Sequence, residues 1–296
     1  MRVLLTGATG FVGSHLLVAL NKAGHRLVAI KRPSSVLPLP IRGIDNVNWI
    51  DNDQELTAKL KALDKFDAII HLATNYGNKS RDWVEVERDN VELPLLLLQY
   101  AVGNDCGMFI NTDTFFSRKA YSYSHMEEYI LTKQHFAAWG ELAALKTPGF
   151  AFINARLEHV YGPSDRAHKF IPWLFKSLAA NKNILELTAG DQRRDFIYID
   201  DVVSAYKCII DNSKNMVGYI EAGVGTGKSI ALKDFVLMAK HMTFANTELL
   251  FGAKASRQGE ILDSAADTRF LESFGWTAKV GLSEGIGFMF NEAHMA

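Results

Sequence analysis

The sequence predicts an α/β protein built on a doubly wound parallel sheet, with helices on both faces and a smaller C-terminal lobe. Short apolar runs alternate with helical patterns through the first half of the 296 residues. This alternation is typical of strand–helix–strand units, which form parallel sheets. A glycine-rich turn joins the first apolar run to the first helical pattern. The second half is less regular, so we expect it to form a second lobe with a cleft between it and the sheet.

The period of the apolar residues places the individual elements. Short apolar runs predict strands at Val3–Leu5, Leu27–Ile30, Ala68–Ile70, Met108–Ile110, Phe150–Ala155 and Phe196–Ile199. Helical periods predict helices at Phe11–Lys22, Leu93–Val102, Met126–Leu145, Phe170–Ala180, Ile230–Met242 and, last, a helix that ends at Phe290. Ser229 and Ser283 are the expected N-caps of the last two helices, because a serine hydroxyl accepts a hydrogen bond from the first helical turn.

Composition and charge argue against several classes of protein. The chain has 32 lysines and arginines against 33 aspartates and glutamates, so it has no basic excess for binding nucleic acid. Cys106 and Cys208 have neither metal-site spacing nor that of a disulfide framework, which indicates a reducing compartment. A glycine at position 7 leaves no room for a secretory signal, and the longest apolar run, Leu93–Val102, is about half of a membrane span. We expect a cytoplasmic protein without a metal, a nucleic-acid partner or a membrane span.

The glycine turn, Thr6-Gly7-Ala8-Thr9-Gly10-Phe11-Val12-Gly13, lies between a predicted strand and a predicted helix. Glycines permit a tight turn and the close approach of a pyrophosphate, which the helix N-terminus attracts. The turn therefore predicts a Rossmann-type dinucleotide site; the alternative is a glycine turn that binds nothing. The residues expected to contact the cofactor there are Gly7, Thr9, Gly10, Phe11, Val12 and Gly13.

The end of the second predicted strand indicates which dinucleotide binds. An acidic residue usually stands there and holds the ribose 2′-hydroxyl of NAD. Here Lys31, Arg32 and Ser34 follow Ile30, and the segment contains no carboxylate. Cations and hydroxyls suit a 2′-phosphate, to which arginine can bond through two donors. The sequence therefore predicts NADP(H); the alternative is a solvated basic loop.

A second glycine cluster, Gly223-Val224-Gly225-Thr226-Gly227-Lys228-Ser229, is similar to a phosphate-binding loop. Such a loop requires a glycine at the position that Ala222 occupies. We therefore expect a loop that leads into a helix, rather than a phosphate site.

Tyr129 and Lys133 lie four residues apart on a predicted helix, so they share one face of it. A nearby ammonium favours the phenolate, so we expect Lys133 to lower the pKa of Tyr129 and make it a proton donor to a carbonyl oxygen. A hydroxyl after the Met108–Ile110 strand would hydrogen-bond that oxygen; Thr114 is favoured over Thr112. The alternatives are a structural Tyr/Lys pair and threonines that cap a turn.

Motifs along the whole chain resemble one family. They are Thr6–Gly13, Asp67–Ala73, Asn90-Val91, Tyr129–Lys133, Arg156–Pro163, Arg194–Val202, Arg257–Ile261 and Phe274–Trp276. Together they resemble the extended short-chain dehydrogenases/reductases that act on nucleotide sugars. Within that family, the stretches most similar to the CDP-abequose and CDP-paratose synthases are His71–Gly77, Asn111–Phe116 and Arg156–Pro163. Those enzymes use NADPH to reduce a CDP-4-keto-3,6-dideoxyhexose at C4, for O-antigen sugars, and the resemblance implies that activity here.

The resemblance also implies a role for each residue that matches a family motif. The catalytic residues it implies are Thr114, Tyr129 and Lys133. Beyond the glycine turn, the cofactor residues it implies are Lys31, Arg32 at the 2′-phosphate, Ser34, Leu72, Ala73 near the nicotinamide ribose, Thr74, Asn90 and Lys133. The substrate residues it implies are Asn75, Thr112, His125, His159, and Arg194 and Arg257 on the diphosphate. Many relatives have asparagine where His159 stands, and His125 is equally consistent with a helix surface, so both of these roles stay open.

The same resemblance implies a domain division and a homodimer. Residues 1–157, with 196–222, would form the NADP-binding domain, and residues 158–296 the sugar-nucleotide-binding lobe. The predicted helices Leu93–Val102 and Met126–Leu145 are apolar over more than one stripe, so the sheet covers only part of each. Relatives dimerise through these two helices, which implies a four-helix interface; the alternative is that the second lobe covers them.

Other functions are compatible with the fold. Dehydratases of the family carry Asp-Glu after the catalytic threonine, where Phe115-Phe116 stand here, so dehydration is disfavoured. A 4-epimerase keeps a tightly bound NAD, which Lys31 and Arg32 argue against. A reductase of a dTDP-, UDP- or GDP-linked sugar stays open. A non-catalytic NADPH-binding regulator tends to lose the tyrosine or the lysine of the pair, and this chain has both.

Overall fold

The computed structural model describes residues 1–77, 82–118, 120, 121, 123 and 125–295, with the side chains of all but 294 and 295. The chain forms two compact units. The first consists of Met1–Arg118, Met126–Arg156 and Val203–Ala222, and the second of Lys119–His125, Leu157–Val202 and Gly223–Ala296. Of the stretch 196–222, the first unit therefore contains the part from Val203 onwards.

The strands are short. In chain order they are β1 (Arg2–Thr6), β2 (Arg26–Lys31), β3 (Val47–Asp51), β4 (Ala68–His71), β5 (Met108–Thr114), β6 (Ala151–Leu157), β7 (His159–Tyr161), β8 (Ile184–Leu187), β9 (Arg193–Arg194), β10 (Phe196–Tyr198), β11 (Gly218–Val224), β12 (Ile230–Ala231), β13 (Glu248–Phe251) and β14 (Asp263–Ser264).

The helices vary more in length. In chain order they are α1 (Phe11–Lys22), α2 (Leu56–Lys61), α3 (Trp83–Glu87), α4 (Leu93–Gly103), α5 (Glu127–Lys146), α6 (Phe170–Ala179), α7 (Ile199–Asp211), α8 (Leu232–Thr243), α9 (Arg269–Glu272) and α10 (Leu282–Met295). A π-helical turn over Arg88–Glu92 joins α3 to α4, and 3-10 turns span Leu39–Ile41, Phe115–Ser117 and Ser213–Asn215.

A seven-stranded sheet forms the frame of the first unit, in the order β11-β6-β5-β4-β1-β2-β3. From β3 across to β5, each strand runs parallel to its neighbours. The doubly wound parallel arrangement predicted from the sequence is confirmed. The strand order reverses between β1 and β4, and α/β sheets bind ligands at the carboxyl edge beside such a reversal. The glycine turn follows β1, so the topology places it at that edge.

Apolar side chains explain why these strands are interior. All three central residues of β1, Val3–Leu5, are fully buried, which is typical of a parallel strand covered on both faces. Phe136 of α5 packs against Phe109 of β5 and Phe152 of β6, with ring centroids 5.7 and 5.8 Å away. Truncating a ring in such a cluster costs about 3–5 kcal/mol. This cluster fixes α5 over the sheet.

Several strand ends differ from the prediction by one or more residues, and two of these differences affect the site or a neighbouring helix. β5 continues to Thr114, so Thr112 and Thr114 lie on the strand and not after it. Its polar residues are tolerated inside the sheet because neighbouring strands supply hydrogen-bond partners. β10 ends at Tyr198, and Ile199 already begins α7. Acidic residues follow in the first turn of α7, where they favour a helix N-terminus.

Both predicted serine caps are wrong. α8 begins at Leu232, because Ile230 and Ala231 form a strand that pairs antiparallel with β9. The Ser229 hydroxyl accepts a hydrogen bond from Nε of Arg193 at 3.3 Å instead of capping the helix. α10 begins at Leu282, so Ser283 already lies inside its first turn. Pairing with a distant strand outweighs the local capping preference at the first of these sites.

The second unit contains small sheets and three packed helices. β7 pairs with β10, β9 lies between β12 and β14, and β8 pairs with β13. α6, α8 and α10 pack against one another. Phe235 of α8 lies at the centre of an aromatic cluster, with ring centroids 4.3 Å from Phe196, 5.9 Å from Tyr161 and 6.5 Å from Phe175. This cluster forms the core of the unit.

Candidate active site

The glycine turn after β1 packs tightly against the loop after β4. Gly7 has a φ of +69°, a left-handed conformation that glycine adopts without strain. Its carbonyl oxygen accepts a hydrogen bond from the Gly10 N–H at 2.9 Å. A Cβ on Gly7 would lie 2.6 Å from the backbone nitrogen of Ala73, and a Cβ on Gly13 would overlap the Gly7 carbonyl oxygen. Glycine is therefore required at both positions by the fold itself.

The N-terminus of α1, which follows this turn, is suited to an anion. Gly10 occupies the N-cap position, where no side chain caps the helix, and the first turn contains no acidic residue. The Ser14 hydroxyl is directed to the Phe11 carbonyl oxygen, at 3.0 Å. Phosphate groups bind at such helix ends because the peptide dipoles concentrate partial positive charge there. The residues present, with Thr9 and Val12 at the same end, fit a dinucleotide pyrophosphate.

The loop after β4 is fixed by Thr6 and His71. The Thr6 hydroxyl oxygen accepts hydrogen bonds from the N–H groups of Leu72 and Ala73, both at 3.2 Å. The same hydroxyl lies 2.8 Å from Nδ1 of His71. His71 is fully buried, and this burial lowers its pKa well below the usual value. A neutral histidine thus supports the loop, in which Leu72, Ala73 and Thr74 are half-buried.

The side chain of Asn90 joins this loop to α5. It is fully buried. Its oxygen accepts a hydrogen bond from the Asn75 N–H, and its amide donates to the Asn75 carbonyl oxygen, both at 2.8 Å, and to the Thr132 hydroxyl at 3.0 Å. The Asn75 side chain donates to Asp89 and accepts from the Gly77 N–H, each at 3.0 Å. Both asparagines therefore use their side chains to shape the loop.

Lys31 and Arg32, at the end of β2, are each paired with a carboxylate. Nζ of Lys31 lies 2.5 Å from Asp51, and Nη2 of Arg32 lies 3.1 Å from Asp89. The Lys31 side chain is 19% exposed and the Arg32 side chain 61% exposed. Ser34 is also exposed. Arg32 is therefore the cation at this strand end that is more accessible to a ligand.

Tyr129 and Lys133 lie one turn apart on α5 and are both buried, at 5% and 2% exposure. Nζ of Lys133 donates a hydrogen bond to the Thr112 carbonyl oxygen at 2.8 Å. The side chain of Tyr129 is hydrogen-bonded to that of Thr114. The Thr112 hydroxyl lies 2.6 Å from the hydroxyl of Tyr206. The structure therefore brings Thr114, rather than the Thr112 hydroxyl, to Tyr129.

The pKa values of the pair are set mainly by burial. Burial, followed by the neighbouring Tyr76, raises the pKa of Tyr129 well above its usual value, against the hydrogen bond to Thr114, which lowers it. The predicted lowering of this pKa is therefore wrong, because the loss of solvation disfavours the phenolate. Burial also lowers the pKa of Lys133 to about 8, against the charge of Asp113. At neutral pH, Tyr129 is a neutral phenol that can donate its proton, and Lys133 is mainly an ammonium.

A polar network behind Thr114 was missed by sequence reasoning. It crosses three adjacent strands and contains Asn111 and Asp113 of β5, Asn154 and Arg156 of β6, and Tyr219 and Glu221 of β11. Asn111 donates to Asn154 at 2.7 Å, and Asn154 donates to Asp113 at 2.9 Å and to Glu221 at 3.1 Å. Polar residues at alternate positions of apolar strands lie on one face, and this pattern is the signal that could have identified the network.

The predicted substrate arginines lie in the second unit. Arg194 is buried at 5% exposure; its guanidinium donates to the Arg193 and Ile261 carbonyl oxygens at 2.8 and 2.7 Å and pairs with Glu260 at 2.5 Å. Arg257 is exposed, and its Nη1 donates to the Tyr123 hydroxyl at 2.9 Å. Arg194 thus holds Glu260 and Ile261, which belong to the segment that follows Arg257.

The two predicted histidines differ in environment. His159 begins β7, and its ring meets Phe196 edge to face at a centroid distance of 5.2 Å. Burial, reinforced by the charges of Arg194 and Lys169, lowers the pKa of His159 to about 4, so it is neutral at neutral pH. His125 is exposed and precedes α5, which begins at Glu127, so it does not lie on the surface of that helix.

The glycine cluster that is similar to a phosphate-binding loop surrounds a carboxylate of the protein itself. Oδ1 of the fully buried Asp195 accepts hydrogen bonds from the N–H and the hydroxyl of Thr226, at 2.9 and 2.7 Å. Oδ2 accepts from the N–H groups of Gly227 and Ala266, at 2.9 and 3.1 Å. A Cβ on Gly225 would overlap this carboxylate. The cluster therefore serves to bind Asp195.

Phe115 and Phe116 follow Thr114 in a 3-10 turn, with ring centroids 4.0 Å apart. Phe115 is buried, and Phe116 is half-buried. These two positions are therefore apolar and supply neither an acid nor a base.

Across the described residues, no group of three or more His, Cys, Asp or Glu side chains could hold a metal ion. In the same part of the chain, no helix is both long and apolar enough to cross a membrane.

The chain is similar to known proteins along nearly its whole length. Residues 3–223 match the NAD dependent epimerase/dehydratase family. A CDP-abequose synthase of Salmonella typhimurium is 40% identical over 288 residues, which cover 96% of this chain and 95% of that protein. A second CDP-abequose synthase, of Salmonella muenchen, is 39% identical over 285 residues, again 96% and 95% of the two chains. The fold is that of a UDP-glucose 4-epimerase of Thermotoga maritima, with a TM-score of 0.85 and 21% identity over 100% of this chain and 99% of that one.

Proposed function

The chain belongs to the NAD dependent epimerase/dehydratase family, and from this premise we propose that it is an NADPH-dependent reductase of the C4 keto group of a CDP-4-keto-3,6-dideoxyhexose. The observation that carries the proposal is the buried, neutral hydroxyl of Tyr129, which is hydrogen-bonded to Thr114 one helical turn from Lys133. The substrate class comes from the similarity to CDP-abequose synthases over almost the entire chain.

In the proposed reaction, a reduced nicotinamide held at the glycine turn would supply the hydride for C4 when bound. Tyr129 donates its proton to the C4 oxygen as negative charge develops there, and the Thr114 hydroxyl hydrogen-bonds the same oxygen. The raised pKa of Tyr129 ensures that the proton is present at neutral pH. The Lys133 ammonium stabilises the phenolate that remains after the transfer.

Reduction, rather than elimination of water, is supported by the residues after Thr114. Elimination requires an acid and a base beside the sugar. Phe115 and Phe116 are apolar and cannot act as either. An apolar wall at these positions also suits a sugar that lacks hydroxyls at C3 and C6, since a buried hydroxyl without a partner is costly.

The cofactor proposed for this reaction is NADPH. The N-terminus of α1, opened by Gly7 and Gly13, would bind the pyrophosphate, and Ala73 would approach the nicotinamide ribose. Arg32, with Ser34 beside it, would bind the 2′-phosphate through an accessible guanidinium. Lys31 is paired with Asp51, so its contribution would be an indirect electrostatic one.

For the substrate, we propose that Arg257 binds the diphosphate. It is exposed, and its contact with Tyr123 uses one of several donors. Arg194, whose donors are directed to the Ile261 carbonyl oxygen and to Glu260, would hold the segment that presents Arg257. The protein is further proposed to be cytoplasmic and to form a homodimer through α4 and α5.

The test is a screen for NADPH oxidation with 4-keto sugar nucleotides linked to CDP, dTDP, UDP and GDP, followed by NMR of the product. We expect turnover with the CDP-4-keto-3,6-dideoxyhexose and a new C4 proton that derives from the cofactor. Absence of NADPH oxidation with every substrate would overturn the proposal. Interconversion of two C4 epimers without net consumption of NADPH would instead identify a 4-epimerase.

A further inference from the structure

Asp113 is a buried carboxylate placed between the two threonines of the candidate site. Its side chain is 1% exposed. Its Oδ2 accepts three hydrogen bonds, from the Ser117 hydroxyl at 2.7 Å, from the Asn154 amide at 2.9 Å and from Nε of Arg156 at 3.2 Å. Its Oδ1 is also buried and has no hydrogen-bond partner among the described residues. Burying a charged oxygen in this way is costly unless an opposite charge compensates.

The charges around Asp113 balance only when Lys133 is included. Arg156 pairs with Glu221 as well as with Asp113, so these three groups together carry one net negative charge. Glu221 is on the outer side of the network, at 41% side-chain exposure, and accepts a further hydrogen bond from Tyr219. The Lys133 ammonium supplies the second positive charge, and Asp113 acts on it electrostatically. Two cations and two anions therefore make up a neutral group that is buried except at Glu221.

We propose that Asp113 is a positioning residue for the proposed reduction: its carboxylate fixes the end of β5, where Thr112 holds Nζ of Lys133 and Thr114 meets Tyr129, and it keeps Lys133 in the ammonium form. The inference rests on the proposed function for the reaction that it serves. The backbone link is direct, because the carbonyl that accepts from Lys133 belongs to the residue before Asp113. The Ser117 hydroxyl lies 2.7 Å from the Asp113 carboxylate and 2.8 Å from the Thr114 carbonyl oxygen, so its one proton is shared between these two acceptors.

The other titratable groups near Lys133 do not stabilise its charge. His71 of β4 is neutral, because burial and the charge of Lys133 itself both lower its pKa. Tyr129, on the same helix, has a raised pKa and is neutral. Tyr206 of α7 is also neutral, because burial and the charge of Asp113 both raise its pKa. Burial alone would favour a neutral lysine amine, so Asp113 supplies the compensating charge among the described residues.

The experiment compares Asp113→Asn with Glu221→Gln, which makes the same carboxylate-to-amide change further from Lys133 in the same network. The amide side chain introduced by Asp113→Asn can keep its oxygen toward the three donors and place its nitrogen at the orphaned position, so the fold is expected to persist. Lysine labelled with carbon-13 is titrated by NMR, and the Lys133 signal is assigned with Lys133→Arg. We expect the pKa of Lys133 to fall by about one unit in Asp113→Asn, and by much less in Glu221→Gln.

The pH profile of kcat/KM gives a second readout. The fall of kcat/KM at high pH should begin at a lower pH in Asp113→Asn, by the same amount as the pKa of Lys133 falls. If Asp113 had only a structural role, the substitution would lower kcat/KM at every pH without moving this fall. An unchanged Lys133 titration, or an equal shift in Glu221→Gln, would overturn the inference. The NMR titration needs no substrate, so it decides the role of Asp113 even if the wild type shows no reductase activity. If Asp113→Asn does not fold, Asp113→Ser, which also removes the charge, is titrated instead, and the pKa of Lys133 should fall by a similar amount.

Discussion

At the scale of single residues, the hydroxyl of Tyr129 is held in its protonated form. Its raised pKa keeps the proton on oxygen until negative charge develops on an acceptor nearby. The ring of Tyr76 packs beside it at a centroid distance of 5.0 Å, and Thr114 is hydrogen-bonded to it. Ring packing and proton donation are therefore separable, since the first does not depend on the oxygen.

The first prediction concerns that separation. Tyr129→Phe keeps the ring but removes the proton donor, so kcat should fall by roughly a hundredfold or more while the Kd for NADPH stays nearly unchanged. Steady-state kinetics and fluorescence titration with NADPH measure the two quantities. Tyr76→Phe, which removes the hydroxyl from the other ring of the pair, is the matched control and should keep most of the activity. Wild-type kcat in Tyr129→Phe would show that another group is the acid.

The second prediction concerns the cofactor. A charge-assisted bond from Arg32 to a 2′-phosphate is worth about 1.5–3 kcal/mol, so kcat/KM should favour NADPH over NADH by at least about tenfold. Arg32→Ala should remove most of this preference. Lys31→Ala is the control and should have a smaller effect, because Lys31 is paired with Asp51. Equal use of the two cofactors by the wild type would contradict the assignment.

Part of the candidate site could be predicted from residue types and spacing. The Thr114, Tyr129 and Lys133 set follows from a four-residue spacing on a helix and from a hydroxyl at a strand end. The direction of the Tyr129 pKa shift could not be predicted, because it depends on burial by side chains from other parts of the chain. The pairing of Asp113 with Arg156 could not be predicted either, because the two residues are distant in the sequence and become neighbours only in the sheet.

At the scale of elements, the position of α5 depends on Gly140. A Cβ at this position would overlap the ring of Phe152 in β6. Phe152 in turn stacks on Phe109 of β5, with centroids 5.5 Å apart and planes 5° from parallel. A glycine in mid-helix is costly in itself, so its presence here indicates that close approach of α5 to the sheet compensates. The same helix carries Tyr129 and Lys133.

The third prediction follows from this contact. Gly140→Ala should lower the free energy of unfolding by about 1–3 kcal/mol, because the ring of Phe152 must move. Gly103→Ala, at the end of α4, is the control: a Cβ there meets nothing within 4 Å, so the greater helix propensity of alanine should stabilise by up to about 1 kcal/mol. Urea unfolding measures both. Equal effects of the two substitutions would show that Gly140 is not a packing contact.

Five of the seven strands of the large sheet were predicted because their apolar runs are strong, whereas β3 and β11 were missed. The errors occur where a distant backbone decides the local structure. β12 exists because Ile230 and Ala231 pair with β9, and this pairing displaces the start of α8. β5 extends to Thr114, and the buried Asn154 of β6 hydrogen-bonds to its polar residues Asn111 and Asp113. Neither partner can be identified from the local sequence.

At the scale of the whole molecule, α5 leaves apolar side chains exposed. Leu131 is 66% exposed, Trp139 39% and Leu142 38%, while Leu95 and Leu96 of α4 are half-buried. An exposed apolar surface of this kind is typical of an interface. A two-fold axis through it would pair α4 and α5 with the same helices of a second copy. This agrees with the homodimer proposed above.

The fourth prediction is therefore a dimer of the 33.0 kDa chain at micromolar concentration, measured by sedimentation equilibrium. Leu131→Glu should shift the equilibrium strongly toward monomer, because it introduces a charge on the proposed two-fold interface. Leu39→Glu makes the same change at a leucine that is 78% exposed and outside these helices, so it should leave the dimer intact. A wild-type monomer at this concentration would refute the interface.

The fifth prediction concerns stability against acid. The pKa of His159 is about 4 in the folded chain against an ordinary value of 6.5. The unfolded chain therefore binds the proton more tightly, and the free energy of unfolding should fall as the pH drops from 6.5 toward 4, by up to about 3 kcal/mol from this residue. Thermal unfolding at each pH measures the loss. His159→Asn should lose less stability than the wild type over the same range; identical profiles would contradict the assignment.

The setting of Asp195 changes how the glycine cluster at 223–229 should be understood. Four donors converge on its two oxygens, as donors converge on a phosphate in a nucleotide-binding loop. The Asp195 carboxylate therefore occupies the position that a phosphate would take in such a loop. Because its four donors are already used, the loop cannot bind a free phosphate. Asp195→Ala would leave these four donors without their carboxylate. A small free anion such as formate should then bind at this position and restore part of the lost stability.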